Sequence, residues 1–155
     1  MFQYNMITFS FKKTHPKAKL PTQAHMGDVG YDLKSIKTTT LKPRSVTKIH
    51  TGIELAEVSY AIPQPYVFMK IEGRSGLASK GIFPVGGIID NSYRGEIIVL
   101  LHNSTDESVC VEEGDKCAQL VFYIHSMNNF VQINEIETKT ETERGTNGFG
   151  STGNR

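Results

Sequence analysis

No apolar run in this chain is long enough to span a bilayer, so no membrane segment is expected. The first ten residues lack a basic start and a following apolar stretch, which argues against a secretory leader and for a cytoplasmic protein. Charge of one sign is also missing: charged residues make up 21% and the net charge is +1. That balance argues against a nucleic-acid surface and a polybasic membrane anchor, so neither nucleic acid nor membrane is expected as a direct partner. Cys110 and Cys117 are the only cysteines, without CxxC spacing, and read as two reduced thiols, a disulfide being the lesser alternative. His15, His25, His50, His102 and His125 are scattered without ligand spacing, which argues against a bound zinc. No GxSxG or Cys–His signature occurs. Gly148 to Gly153 does match GxGxxG, but no strand–helix–strand unit surrounds it and no Walker lysine follows. Dinucleotide and P-loop readings are therefore rejected. Asn103-Ser104-Thr105 is a formal glycosylation sequon and, without a leader, is taken as chance.

What is present is a series of short β-type segments between Gly/Pro turns in a chain of 155 residues. That length suits one domain with a real core. Ile7, Phe9 and Phe11 alternate with polar residues as an opening strand, and Lys12 to His25 reads as a loop. Thr38 to Ser45 reads as a turn, and Val46 to Ala56 as two short strands broken at Gly52. Ser59 to Pro65 reads as a loop, and Val67, Met69 and Ile71 as a strand. Ser75 is placed to cap the one helical turn, which Gly81 ends. Ala118 to Ile124 reads as a buried strand containing the polar Gln119, and Phe130 to Ile136 closes the core. From Thr138 the apolar pattern stops, which sets out a domain over 1–137 and a mobile arm over 138–155. Many short strands and almost no helix mean an all-β sandwich, jelly roll or small barrel.

The richest stretch is Gly86 to Glu96, with a glycine pair, Asp90, Tyr93 and Arg94 between Phe83-Pro84-Val85 and Ile97 to Leu101. It reads as a hairpin or tight connection leading into a strand buried on both faces. Such a turn aims Asp90 and Tyr93 into one pocket; the alternative is a plain hairpin with a solvated tip. Arg74 beside the start of a helical turn makes an oxyanion site, or a capped surface turn. Asp32, Asp90, Arg74, Arg144 and the glycine loops together suit a polyphosphate handled with Mg²⁺, which takes a few carboxylates, waters and phosphate oxygens.

Five stretches carry a resemblance: Val29 to Ser35, Gly73 to Ala78, Gly87 to Gly95, Gly114 to Leu120 and Arg144 to Gly153. Their residues and order resemble the five motifs of the trimeric dUTPases, and the similarity spans nearly the whole chain. The resemblance implies a β jelly roll of the β-clip type, a homotrimer with three sites at subunit interfaces, and hydrolysis of dUTP to dUMP and pyrophosphate. That reaction would keep uracil out of DNA and supply dUMP for thymidylate synthesis. Asp90 resembles the carboxylate that activates water and touches the sugar 3′-hydroxyl, and Tyr93 the residue under deoxyribose that leaves no room for a 2′-hydroxyl. The backbone at Gly87 and Ile88 would read the uracil edge. Arg74, Ser75 and Gly76 match the phosphate-binding motif, and Gln119 the amide at the α-phosphate and attacking water. Asp32 matches the carboxylate that holds Mg²⁺ through water. In the arm, Arg144 would pair with the γ-phosphate, Phe149 stack on uracil, and Gly150, Ser151 and Thr152 add polar contacts. Val29 and Cys117 depart modestly from the usual residues, and the connection near Tyr60 to Gln64 reads as longer than usual. The rival readings are a dCTP deaminase-like enzyme, disfavoured by Tyr93 and the Arg144–Phe149 tail, and a non-catalytic regulatory protein on the same scaffold.

Overall fold

The computed structural model describes residues 7–60 and 66–125. Along the chain these form β1 (Ile7–Lys13), β2 (Tyr31–Lys34), β3 (Thr39–Leu41), β4 (Ser45–Tyr60), β5 (Tyr66–Glu72) and the short helix α1 (Ser75–Ala78). They continue as β6 (Ile82–Pro84), β7 (Ile88–Asp90), β8 (Glu96–Asn103), β9 (Val109–Val111) and β10 (Lys116–His125). One sheet has the order β1-β4-β8-β6, a second β2-β10-β5-β7, and β3 pairs with β9. Every pairing is antiparallel. This is the all-β, jelly-roll-type arrangement expected.

Period-two alternation explains how the two larger sheets close on one core. In β8, Ile97, Val99 and Leu101 are fully buried, while Ile98 and Leu100 between them are only half-buried. The expectation that this strand is buried on both faces is corrected: its outer face borders a cavity described below. The inner residues meet Leu33, Ile49, Ile53, Leu55, Met69 and Leu120. Burying a side chain of this size stabilises by roughly 1.5–3 kcal/mol. Phe122 joins the sheets at the core's edge, 4.5 Å from Phe9 and edge-on to Tyr31 at 5.1 Å. The far end of β10 is less covered than its apolar sequence implies. Ile124 is 64% exposed, and Tyr123 stacks on Phe68 at 4.9 Å.

Several local expectations are revised. Thr39–Leu41 is a strand and not part of a turn, because it pairs with β9 and buries Leu41 completely. Three residues with one apolar side chain carry no readable period. The opening strand extends to Lys13, two residues into the expected loop. The two pieces expected between Val46 and Ala56 are one strand, β4, with a bulge against β8 between His50 and Glu54. Gly52 sits at that bulge with φ +66°, where a Cβ would meet His15 and Ala18. Ser75 is not the cap of α1; Arg74 holds the N-cap position with extended backbone and no side-chain cap bond. The helix ends at Ala78 with Ser79 as its C-cap, so Gly81, at φ +76°, lies two residues beyond the cap and does not itself end α1. Both cysteines are free, Cys110 exposed and Cys117 buried. Burial pushes the Cys117 thiol up to about 12. Phe130 to Ile136, the expected longer connection near Tyr60 to Gln64 apart from Tyr60, and the expected 138–155 arm lie outside the described residues.

Asn103 ends β8 as a buried junction. Its amide donates to the Leu41 carbonyl at 3.1 Å and the Glu107 carbonyl at 2.7 Å. Its oxygen accepts from the Thr105 amide at 2.9 Å and hydroxyl at 2.8 Å. The residue therefore ties β3, β8 and the turn into β9. Asn103→Ala strands buried carbonyls and opens a cavity, and is expected to destabilise by about 2–4 kcal/mol in urea unfolding. A change under about 0.5 kcal/mol, the size of an ordinary surface substitution, would contradict this role.

Candidate active site

Gly86 to Glu96 is a crossing between sheets. β6 pairs with β8, whereas β7 pairs with β5 in the other sheet. Of the two readings offered, the tight connection is the one found. Gly86 and Gly87 make the switch with φ +69° and +108°. A Cβ on Gly87 would lie 3.0 Å from the Ile71 carbonyl oxygen, so only glycine lets the turn lie against β5. The Ile71 amide donates to the Gly87 carbonyl at 2.9 Å and docks it there. A second turn returns the chain to β8, closed by the Tyr93 amide donating to the Asp90 carbonyl at 3.0 Å.

These two turns frame a cavity of about 250 Å³. Gly87, Ile88, Asp90 and Tyr93 line it, together with Lys48 and Glu96. Asp90 is exposed at the end of β7. The Tyr93 hydroxyl donates to the Glu96 carbonyl at 3.2 Å, which fixes the ring at the cavity wall. Glu96 is itself anchored. Burial opposes its ionisation, but bonds from His50 and the Gly52 and Thr51 backbone outweigh that and hold its carboxyl below the usual range.

A second cavity, of about 670 Å³, is polar. Gly30, Arg74, Ser75, Gly76 and Gln119 line it. Gln119 donates to the Gly73 carbonyl at 2.8 Å and so ties β10 to the chain entering α1. Gly30 is where it is because a Cβ there would run into the Gln119 amide oxygen. Helical bonding in α1 starts with the Leu77 and Ala78 amides, both donating to the Arg74 carbonyl. The Ser75 and Gly76 amides precede it, beside an exposed Ser75. Amides, a hydroxyl and a guanidinium in one cavity are the donor set an oxyanion needs.

Asp32 lies behind this cavity, 5% exposed, with its carboxylate between Arg74 and Lys116, the latter at 2.7 Å. Among the described residues no group of three His, Cys, Asp or Glu could hold a metal by itself. Both Asp32 oxygens are taken by these cations, whereas Asp28 and Glu72 line the cavity itself, so a Mg²⁺ arriving with a polyphosphate would keep most of its waters. The structure thus brings the expected residues into two groups whose cavities share no lining residue. Arg144, Phe149, Gly150, Ser151 and Thr152 lie outside the described residues. Lys48, Glu96 and Lys116 were not picked out from the sequence. The latter two stand inside recognised stretches, but lone charged residues there carry no signal; Lys48 reaches the cavity only through the β4–β8 pairing.

A jelly-roll protein with one small cavity beside a carboxylate and a phenol, and a polar one carrying a guanidinium, a hydroxyl and free amides, has the groups that a nucleotide-handling protein needs. The dUTPase family model matches residues 16–153. The deoxyuridine 5′-triphosphate nucleotidohydrolase of Clostridium novyi is 43% identical over 145 residues, covering 92% of this chain and 96% of that protein. That of Monkeypox virus is 37% identical, covering 99% and 98%. The solved dUTPase of Staphylococcus bacteriophage 80alpha with dUpNHpp superposes with a TM-score of 0.73 at 28% identity, covering 94% of this chain and 98% of that one. A dUTPase mutant from phage phi11, with TM-score 0.67 at 25% identity over 84% of this chain and 99% of that one, coordinates a structural Mg(II) ion. The chain belongs to the dUTPase family.

The close contact of Gly30 with Gln119 generates a test. Gly30→Ala is expected to displace the Gln119 amide and weaken inorganic triphosphate binding about tenfold, with the fold retained by circular dichroism. Unchanged affinity in calorimetric titration would show that Gln119 does not organise this cavity.

Proposed function

We propose that this chain is a dUTP diphosphatase, releasing dUMP and pyrophosphate. The observation that carries this is the sorting of its side chains. Gly87, Ile88, Asp90 and Tyr93 line a cavity suited in size and shape to a nucleoside. Gly30, Arg74, Ser75, Gly76 and Gln119 line one suited to phosphates. The backbone at Gly87 and Ile88 reads uracil, with fixed donors and acceptors in a turn too tight for thymine's methyl. The Tyr93 ring is a rigid floor for deoxyribose that leaves no room for a 2′-hydroxyl. Asp90 accepts a proton from water as its oxygen bonds to the α-phosphorus. The bond from that phosphorus to the bridging oxygen breaks, and pyrophosphate leaves with the electron pair. Gln119 orients the water and the α-phosphate, and Ser75 lies near the bridging oxygen. Arg74 and the amides beginning α1 take up charge on the phosphates.

Asp32 is the residue that would hold a Mg²⁺ through water, and the ion would neutralise charge on the polyphosphate. Asp32, buried between Arg74 and Lys116, also holds the guanidinium at Nη1. The 138–155 arm closes over the filled site: Arg144 on the γ-phosphate, Phe149 on uracil, Gly150, Ser151 and Thr152 at its polar edge. Closure excludes water and completes the cradle for in-line displacement. The rest of the chain, 1–137, is the catalytic domain. Since the two cavities have no lining residue in common, a homotrimer composes each site from the nucleoside cavity of one chain and the phosphate cavity of its neighbour.

Asp90→Asn is expected to keep dUTP-analogue binding while losing turnover by about two to four orders of magnitude, the scale of a general base. Turnover within a factor of about two of the parent would remove Asp90 from the chemistry. Asp90→Asn and Arg74→Ala, each inactive, are expected to regain activity when denatured together and refolded as mixed oligomers. No recovery, with mixed oligomers verified by mass spectrometry, would contradict a site shared between chains.

A further inference from the structure

The second wall of the nucleoside cavity is held by a device that none of the sugar-contacting residues contains. The Tyr93 hydroxyl donates to the Glu96 backbone carbonyl. The phenol leans across Gly95, where a Cβ would run into its hydroxyl. The ring's position therefore depends on where the Gly95–Glu96 backbone lies. That backbone is fixed from the neighbouring strand. Both oxygens of the Glu96 carboxylate are engaged: Oε1 accepts from the Gly52 amide at 2.8 Å, and Oε2 bonds His50 Nδ1 at 2.9 Å. One residue further along, the Thr51 hydroxyl donates to the Ile97 carbonyl at 2.5 Å. The β4 bulge makes this clamp. Gly52, in its left-handed conformation, turns an amide toward β8 that a regular ladder would use within the sheet. Glu96 and His50 side chains are 23% and 33% exposed, sheltered enough for the bonds to hold a geometry.

We infer that His50 and Glu96 are positioning residues for Tyr93, and that through it they set the preference of this site for deoxyribose over ribose nucleoside triphosphates. This rests on the dUTP diphosphatase assignment and on Tyr93 as the sugar floor. A ring fixed on one side only can tilt by the fraction of an ångström that admits an extra hydroxyl. A ring fixed through the Glu96 clamp and seated on Gly95 cannot. His50 does not line the cavity, and Glu96, which does, has both carboxylate oxygens committed to β4; both act through the phenol.

The test measures kcat and KM for dUTP and UTP with the full chain and its variants. Glu96→Ala, His50→Ala and Gly95→Ala are each expected to lower the dUTP/UTP ratio of kcat/KM about tenfold, the size of discrimination that one displaced pocket contact carries. His50→Asn, which keeps a nitrogen donor near the Nδ1 position, is expected to restore most of the ratio. A merely structural role would lower kcat/KM for both nucleotides together and leave the ratio unmoved. An unchanged ratio in His50→Ala and Gly95→Ala overturns the inference, even if Glu96→Ala fails to fold. A ratio in His50→Asn no better than in His50→Ala does the same. Failure of the underlying assignment looks different: the unaltered chain would then hydrolyse neither nucleotide, or both equally.

Discussion

The left-handed turn at Gly86 and Gly87 is the constraint on which the site depends. It takes the chain from β6, on one sheet, to β7, on the other, within a few residues. Any side chain at Gly87 would press on the β5 backbone at Ile71. Because that contact is close, β7 pairs squarely with β5, and Asp90 arrives at the open end of the strand. The return turn then sets Tyr93 against the start of β8, where its hydroxyl meets the Glu96 carbonyl. A cavity between sheets follows from this double crossing, and its lining follows from which residues occupy the two turns. The half-buried Ile98 and Leu100 make sense on the same basis, since the face they form is a cavity wall and not a second core.

The phosphate side depends on a different kind of contact. Buried charge is costly unless it is paired, and Asp32 is paired twice, with Arg74 and with Lys116. The pairing couples β2, β10 and the entrance to α1 at one point. Gln119 couples the same segments by a neutral bond to Gly73, lying over Gly30. Two independent links therefore hold the guanidinium and the helix-start amides in register. Preorganisation of this sort gives phosphate donors their catalytic value, since they need not reorganise as charge develops.

Much of this was legible in the sequence, and what was not has identifiable causes. The unbroken apolar run Ile97 to Leu101 and the alternation in Val67 to Ile71 located β8 and β5, and the glycine pair located the turn, because apolar runs, period and left-handed glycines are local signals. The destination of the turn was not local. Whether β7 pairs with β8 or with β5 depends on the contact between Gly87 and Ile71, residues sixteen positions apart in the numbering. The strand β3 escaped because its single apolar residue, Leu41, shows no period. Ser75 resembled a cap by type, yet Arg74 takes the cap position, since the extended backbone leaving β5 decides where the helix starts. The candidate site residues were found as five ordered stretches. Lys48, Glu96 and Lys116 were missed because their placement comes from strand register, which a single sequence does not display.

Under the proposed function, the clamp on Glu96 orders the sugar end of the site and the double pairing of Asp32 its phosphate end. The most direct test incubates the full chain and Mg²⁺ with dUTP, dCTP, dTTP or UTP and identifies the products of each. The expected result is dUMP and pyrophosphate from dUTP, with little release from the other three. Ammonia from dCTP, or pyrophosphate released equally from dUTP and UTP, would contradict it.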